Sequence, residues 1–158
     1  MSDLRRRGSG STEEYHAMAW DGDDGYVEQR PQVPPFGYML TLDLYDCNAM
    51  ALDDIRRVYA FLETLVHRLG MTKQAPPFVF LSPPEFPDKA GVSGWVPLIE
   101  SGIQIHTLTP CRFVSVDVYC CRKFNIHEVQ EVAQAFFNPA AIDVNEITRG
   151  AKYHARGR

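Results

Sequence analysis

The run Phe113-Val114-Ser115-Val116-Asp117-Val118-Tyr119 puts a valine at every second position, with Phe113, Ser115, Asp117 and Tyr119 alternating between them. Successive side chains of an extended chain point to opposite sides, so this period describes a strand with one apolar and one mixed face. Valine, branched at Cβ, also packs well on a pleated, half-covered surface. A sheet covered on one side only is what such a strand calls for.

The neighbouring segments extend the same reading. Residues 95–100 and 103–107 are extended runs, joined to each other and to the valine run by links too short for a crossover, which favours antiparallel pairing. Residues 36–45 form an earlier strand, with Leu40, Leu42 and Leu44 alternating against Thr41 and Asp43. Residues 78–81 are a short apolar strand, after which Pro83, Pro84 and Pro87 force an irregular loop. A last strand covers residues 141–147.

Two segments change period. Over residues 51–69, Leu52, Ile55, Val58, Tyr59, Leu62, Leu65, Val66 and Leu69 step by three and four, the stripe of an amphipathic helix that Gly70 ends. The second helix opens on Asn125 as N-cap with Glu128 three residues on, a capping-box pattern. Val129, Val132, Ala133 and Phe136 form its inner face, and Pro139 stops it. The order describes an α+β two-layer sandwich, a mainly antiparallel sheet with two helices on one face. The other sheet face needs cover, which an identical sheet or the N-terminal segment would supply.

With 158 residues the chain makes one domain with a true core. Residues 1–35 read as a flexible arm, rich in Ser, Gly and acidic residues, in which Trp20 and Tyr26 are anchor candidates; residues 36–158 carry the domain. Arginine and lysine total 16 against 20 acidic residues, a net charge of −4, which argues against nucleic acid as a partner. No run approaches the roughly 20 apolar residues of a membrane span, and the N-terminus lacks a secretory apolar core. Cys47, Cys111, Cys120 and Cys121 form no C-x-x-C pair and the 5 histidines are scattered. A reduced, cytoplasmic setting without zinc is expected.

No G-x-S-x-G, phosphate-binding glycine loop or H-E-x-x-H helix is present. The reactive residue types gather in the sheet region: Ser93, Ser101, His106 and Cys121. Ser101 opens a strand, His106 lies on it, and Cys121 ends the next strand, at the same end of the sheet as Ser101. Each also has an ordinary structural use, so these residues alone leave the chemistry open.

The linear pattern is more specific. Gly91-Val92-Ser93-Gly94, Ile99-Glu100-Ser101, Ile105-His106-Thr107 and Val116-Asp117-Val118-Tyr119-Cys120-Cys121 together resemble the prokaryotic S-adenosylmethionine decarboxylase family, without a gap from Ser93 to Cys121. Asp43-Leu44-Tyr45-Asp46-Cys47 and Ile147-Thr148-Arg149-Gly150 are similar to that family's first and last strands. The resemblance implies a self-processing proenzyme that cleaves between Glu100 and Ser101 into a β chain, residues 1–100, and an α chain, residues 101–158. Ser101 would become a pyruvoyl group, which forms a Schiff base with the substrate amine and acts as an electron sink when CO2 leaves. By the same resemblance His106 moves protons in processing, Ser93 assists it, Cys121 is the proton donor in turnover, and Phe86 binds substrate. A homodimer of processed αβ units, in the cytoplasm and serving spermidine synthesis, is also implied.

One segment departs from the family. Where Thr-Trp-Pro-Glu is common, its glutamate holding the substrate's ribose, this chain has Thr107-Leu108-Thr109-Pro110, and proline cannot accept those hydrogen bonds. Three readings follow: an S-adenosylmethionine decarboxylase, a pyruvoyl-dependent decarboxylase of arginine or ornithine, or an unprocessed, non-enzymatic binding or regulatory subunit. Joint presence of Ser93, Glu100, Ser101, His106 and Cys121 argues against the third.

Overall fold

The structure, a computed structural model, describes residues 34–153. Trp20, Tyr26 and nearly all of the expected arm lie outside the described residues. The elements, in order, are β1 (Gly37–Tyr45), α1 (Ile55–Arg68), β2 (Phe78–Leu81), β3 (Val92–Leu98), β4 (Ser101–Leu108), β5 (Phe113–Cys120), α2 (Ile126–Phe137) and β6 (Ala141–Arg149). Short 3-10 turns sit at Ala49–Ala51, Pro87–Lys89 and Thr109–Cys111. The six strands form one sheet in the order β2-β3-β4-β5-β1-β6, and every neighbouring pair is antiparallel.

The valine run lies on β5, near the middle of the sheet. Val114, Val116 and Val118 are fully buried, together with Leu40, Leu42 and Leu44 of β1 and Ile103 and Ile105 of β4. Against this face lie Val58, Phe61, Leu62 and Leu65 of α1 and Val129, Val132 and Phe137 of α2, all buried. Each large apolar side chain so removed from water contributes about 1.5–3 kcal/mol. Phe61 meets Phe137 edge to face, ring centroids 5.1 Å apart, and this contact joins the two helices. The opposite sheet face is the mixed one, and Ser93 of β3 and His106 of β4 lie on it.

Several element ends and caps differ from expectation. Helix α1 begins at Ile55 and not at residue 51, because the Asp54 carboxylate accepts from the N–H groups of Arg56 and Arg57 and caps it there. Leu52 is still buried, but from the chain ahead of the helix. Strand β3 starts at Val92 and stops at Leu98; Ile99 and Glu100 are a turn. In α2 only half of the capping box forms: Asn125 accepts from the His127 N–H, while Glu128 pairs with Arg68 of α1. Gly70, with φ of +57°, ends α1 as expected.

Candidate active site

The Glu100–Ser101 junction is the turn that leads from β3 into β4. Ser101 has φ of +147°, a conformation that residues with a side chain rarely adopt and that costs about 1–3 kcal/mol. It opens β4 between Leu98 of β3 and Cys120 of β5. The Glu100 carbonyl oxygen accepts a hydrogen bond from the Cys121 N–H at 2.9 Å. An N–H aimed at that oxygen stabilises negative charge developing there if the carbonyl is attacked. Cys121 is exposed, just past the end of β5, so it does return to the Ser101 end of the sheet. Cys120, opposite Ser101, is fully buried, and burial raises its thiol pKa.

Ser93 and His106 face each other across β3 and β4, with Ser93 Oγ 2.6 Å from His106 Nδ1. Both are half-buried on the open face. Behind them Thr107, fully buried, bonds three backbone groups: it donates toward the Leu52 carbonyl at 2.7 Å, lies 3.3 Å from the Val92 carbonyl, and accepts from the Val92 N–H at 2.7 Å. The two glycines around Ser93 have physical reasons. A Cβ on Gly91 would stand 2.0 Å from the Thr107 carbonyl oxygen, and one on Gly94 would press on Ile105, Leu62 and Val58. Gly-Val-Ser-Gly is thus a strand packed closely against β4 and α1, with Ser93 on its open side.

The four reactive residues do not converge within one chain. Ser101 and His106 are five residues apart on one extended strand, about 16 Å at ~3.3 Å per residue. One half-site holds Glu100, Ser101 and Cys121; the other holds Ser93 and His106 at the opposite end of β4. Phe86 belongs with the second half. It precedes the turn Pro87–Lys89, is 57% exposed, and its loop is tied to the turn after β4 by the Thr109 N–H bond to the Ala90 carbonyl. Pro110 sits in that turn, where the Thr109 hydroxyl bonds the Asp53 carboxylate.

The open face carries further aromatic and acidic groups. Phe78 stacks on Trp95, centroids 6.0 Å apart, and Phe80 beside them is 62% exposed. Asp117 is half-buried; burial, and then the charge of Asp43, raise its pKa. No three His, Cys, Asp or Glu residues converge on a metal site among the described residues, and no helix there is long and apolar enough to cross a membrane.

The description "S-adenosylmethionine decarboxylase" belongs to a family model that matches residues 38–150, from β1 through β6. The chain belongs to this family. A relative from Methanococcus maripaludis (strain C5), named S-adenosylmethionine decarboxylase proenzyme, is 33% identical over 115 residues, covering 72% of this chain and 89% of its own length. A relative of the same name from Clostridium botulinum (strain Langeland) is 27% identical over 115 residues, covering 72% and 94%. Among solved structures, the adenosylmethionine decarboxylase from Aquifex aeolicus superposes with a TM-score of 0.64 at 26% identity, covering 75% of this chain and 93% of that one. The S-adenosylmethionine decarboxylase family model thus reaches into all six strands and covers both half-sites, while residues 1–37 and 151–158 lie outside its match.

Proposed function

We propose that this chain is a self-cleaving S-adenosylmethionine decarboxylase whose product feeds spermidine synthesis, and that it works as a cytoplasmic homodimer of processed αβ units. The observation that carries the reading is the junction itself. In a chain of this family, Ser101 is held in a disfavoured conformation next to a carbonyl already bonded to the Cys121 N–H.

Scission at this junction needs no outside oxidant or reductant. Ser101 Oγ attacks the Glu100 carbonyl carbon, the C–N bond breaks, and the hydroxyl proton passes to the freed amine. Removal of the Ser101 Cα proton then expels Glu100 as a carboxylate. The remaining enamine tautomerises to an imine, one water adds and one ammonia leaves, so Ser101 becomes a pyruvoyl group. That group supplies an electron sink for loss of CO2. Ser101 fits it: as the first residue of β4 it is half-buried, and scission would leave it as a chain end at the start of a paired strand. Cys121 is the thiol positioned to return a proton.

The separation of the half-sites supports a shared site. His106 Nδ1 is engaged by Ser93, which leaves Nε2 to move protons, and about 16 Å of strand keeps it from its own Ser101. A second copy packed two-fold on the open sheet face would bring each copy's Ser93–His106 pair to the other's junction. The same packing would cover Phe78, Phe80 and Trp95. Pro110 favours a second reading, decarboxylation of arginine or ornithine, since no carboxylate stands at that position for a ribose.

Denaturing electrophoresis and intact mass test the proposal. Two fragments divided after Glu100 are expected, the C-terminal one lighter by one ammonia than the same fragment with an N-terminal serine. Ser101→Ala should stay whole, and a wild-type chain that stays whole rejects the reading. CO2 release from S-adenosylmethionine, arginine and ornithine, measured side by side, decides the substrate.

A further inference from the structure

Glu100 is held from several directions at once. Its Oε2 accepts from the Thr72 N–H at 3.0 Å, and its Oε1 lies 3.4 Å from Arg122 Nη2. The Arg122 guanidinium also bonds the Gly70 carbonyl, so it spans from the end of α1 to Glu100. The Ile99 N–H donates to the Thr72 carbonyl at 2.9 Å, and the Gln74 N–H to the Pro97 carbonyl at 3.0 Å. Residues 72–74 therefore brace residues 97–100 as a short backbone ladder. On the other side, the Cys121 N–H holds the Glu100 carbonyl. The Glu100 side chain is only 16% exposed, although Arg122 is 51% exposed.

A disfavoured backbone conformation persists only where its surroundings over-determine it. Ser101 is such a residue, and Glu100 is the neighbour on the N-terminal side of its strained φ. We infer that Arg122 and the Thr72 backbone form a clamp on the Glu100 side chain that holds the Glu100–Ser101 junction for self-cleavage, with Arg122 as a positioning residue. The inference rests on the self-cleavage reading and adds to it a cause for the retained strain. The carboxylate suits this use, since the Thr72 N–H, then its own backbone N–H and Arg122, hold its pKa below the ordinary range and keep it charged at neutral pH. After scission the same contacts retain Glu100 as the end of the β chain.

Pulse-chase translation of the full chain in a cell-free system measures scission directly. Arg122→Ala should slow the appearance of the two fragments about tenfold, and Arg122→Lys should restore much of the rate. Glu100→Gln, which keeps an acceptor for the Thr72 N–H but loses the charge, should fall between wild type and Arg122→Ala. Because Arg122 is half exposed, 1 M salt should slow the wild type toward the rate of Arg122→Ala and leave that variant nearly unchanged. A merely structural role would not give this salt pattern. Wild-type rates in both Arg122→Ala and Glu100→Gln overturn the clamp while leaving self-cleavage standing. An uncut wild type overturns self-cleavage itself and the clamp with it. If Arg122→Ala fails to fold, the Glu100→Gln rate and its salt response decide in the same way.

Discussion

Ser93 Oγ lies 2.6 Å from His106 Nδ1, across two antiparallel strands and about 16 Å along β4 from the Ser101 of the same chain. The strands that carry the pair are held together beside it: Thr107, next to His106, ties β4 to Val92 of β3, and Gly91 lets the chain approach Thr107 closely. Under the proposed function, a histidine so fixed and so far from its own Ser101 would serve another chain's junction.

That arrangement predicts complementation. His106→Ala alone should remain uncut, as should Ser101→Ala. Refolded together, mixed dimers should cleave the His106→Ala chain, whose own junction is intact and whose missing imidazole comes from the Ser101→Ala partner. Electrophoresis with a tag on one variant identifies the chain that is cut. Absence of any cleavage in the mixture, with mixed dimers demonstrated, rejects the shared site.

Thr107 predicts a stability effect separate from chemistry. Thr107→Val keeps the shape but leaves the Val92 N–H and the Leu52 carbonyl without their buried partner. A loss of about 1–3 kcal/mol is expected in denaturant unfolding of the Ser101→Ala background, where cleavage does not interfere. Thr107→Ser, which retains the hydroxyl, should lose clearly less. Equal losses in the two variants would show that the methyl group and not the hydrogen bonds matters.

Much of this molecule can be read from its letters, and the failures have physical causes. Alternation at Val114, Val116 and Val118 and at Leu40, Leu42 and Leu44 is a local signal, so the sheet and its buried face were legible. The start of α1 was missed because Leu52 falls on the helical stripe, although Asp54 is the cap that decides the matter. The start of β3 was missed because Gly91 and Gly94 interrupt the apolar pattern, and their reason lies in Thr107, Ile105 and α1, which are distant in sequence. The separation of Ser101 from His106 was implicit in an extended β4, since residues five apart cannot meet on a straight strand. Thr72 and Arg122 gave no signal, because their link to Glu100 exists only after β3, β4 and β5 have assembled.

Asp117 predicts a pH dependence. It is half-buried on the open face, and burial together with Asp43 raises its pKa. A carboxyl with a higher pKa folded than unfolded holds its proton better in the fold. Stability is therefore lost as pH rises from the unfolded value through the folded one. Asp117→Asn removes that loss, so at neutral pH it should be more stable than the parent, by no more than about 1 kcal/mol given the partial exposure. The difference should shrink as pH falls below the ordinary aspartate range, where both forms are neutral. Thermal melts at pH 7 and about pH 3 measure it, and a less stable variant at pH 7 contradicts the argument.

Cys120 and Cys121 are neighbours in opposite surroundings. Cys120 is buried opposite Ser101, while Cys121 is exposed and gives its backbone N–H to Glu100. Iodoacetamide at neutral pH should label Cys111 and Cys121 in the folded protein and spare Cys120 and Cys47; burial raises both of these thiols, that of Cys47 to about 11. Cys121→Ala keeps the backbone N–H, so it should still be cut after Glu100, but CO2 release should fall by about 10²–10⁴. Cys111→Ala, which removes the other exposed thiol, should cleave and turn over normally. Full turnover in Cys121→Ala would remove that thiol from the chemistry and transfer the question to Cys120, the thiol facing Ser101 across the strand.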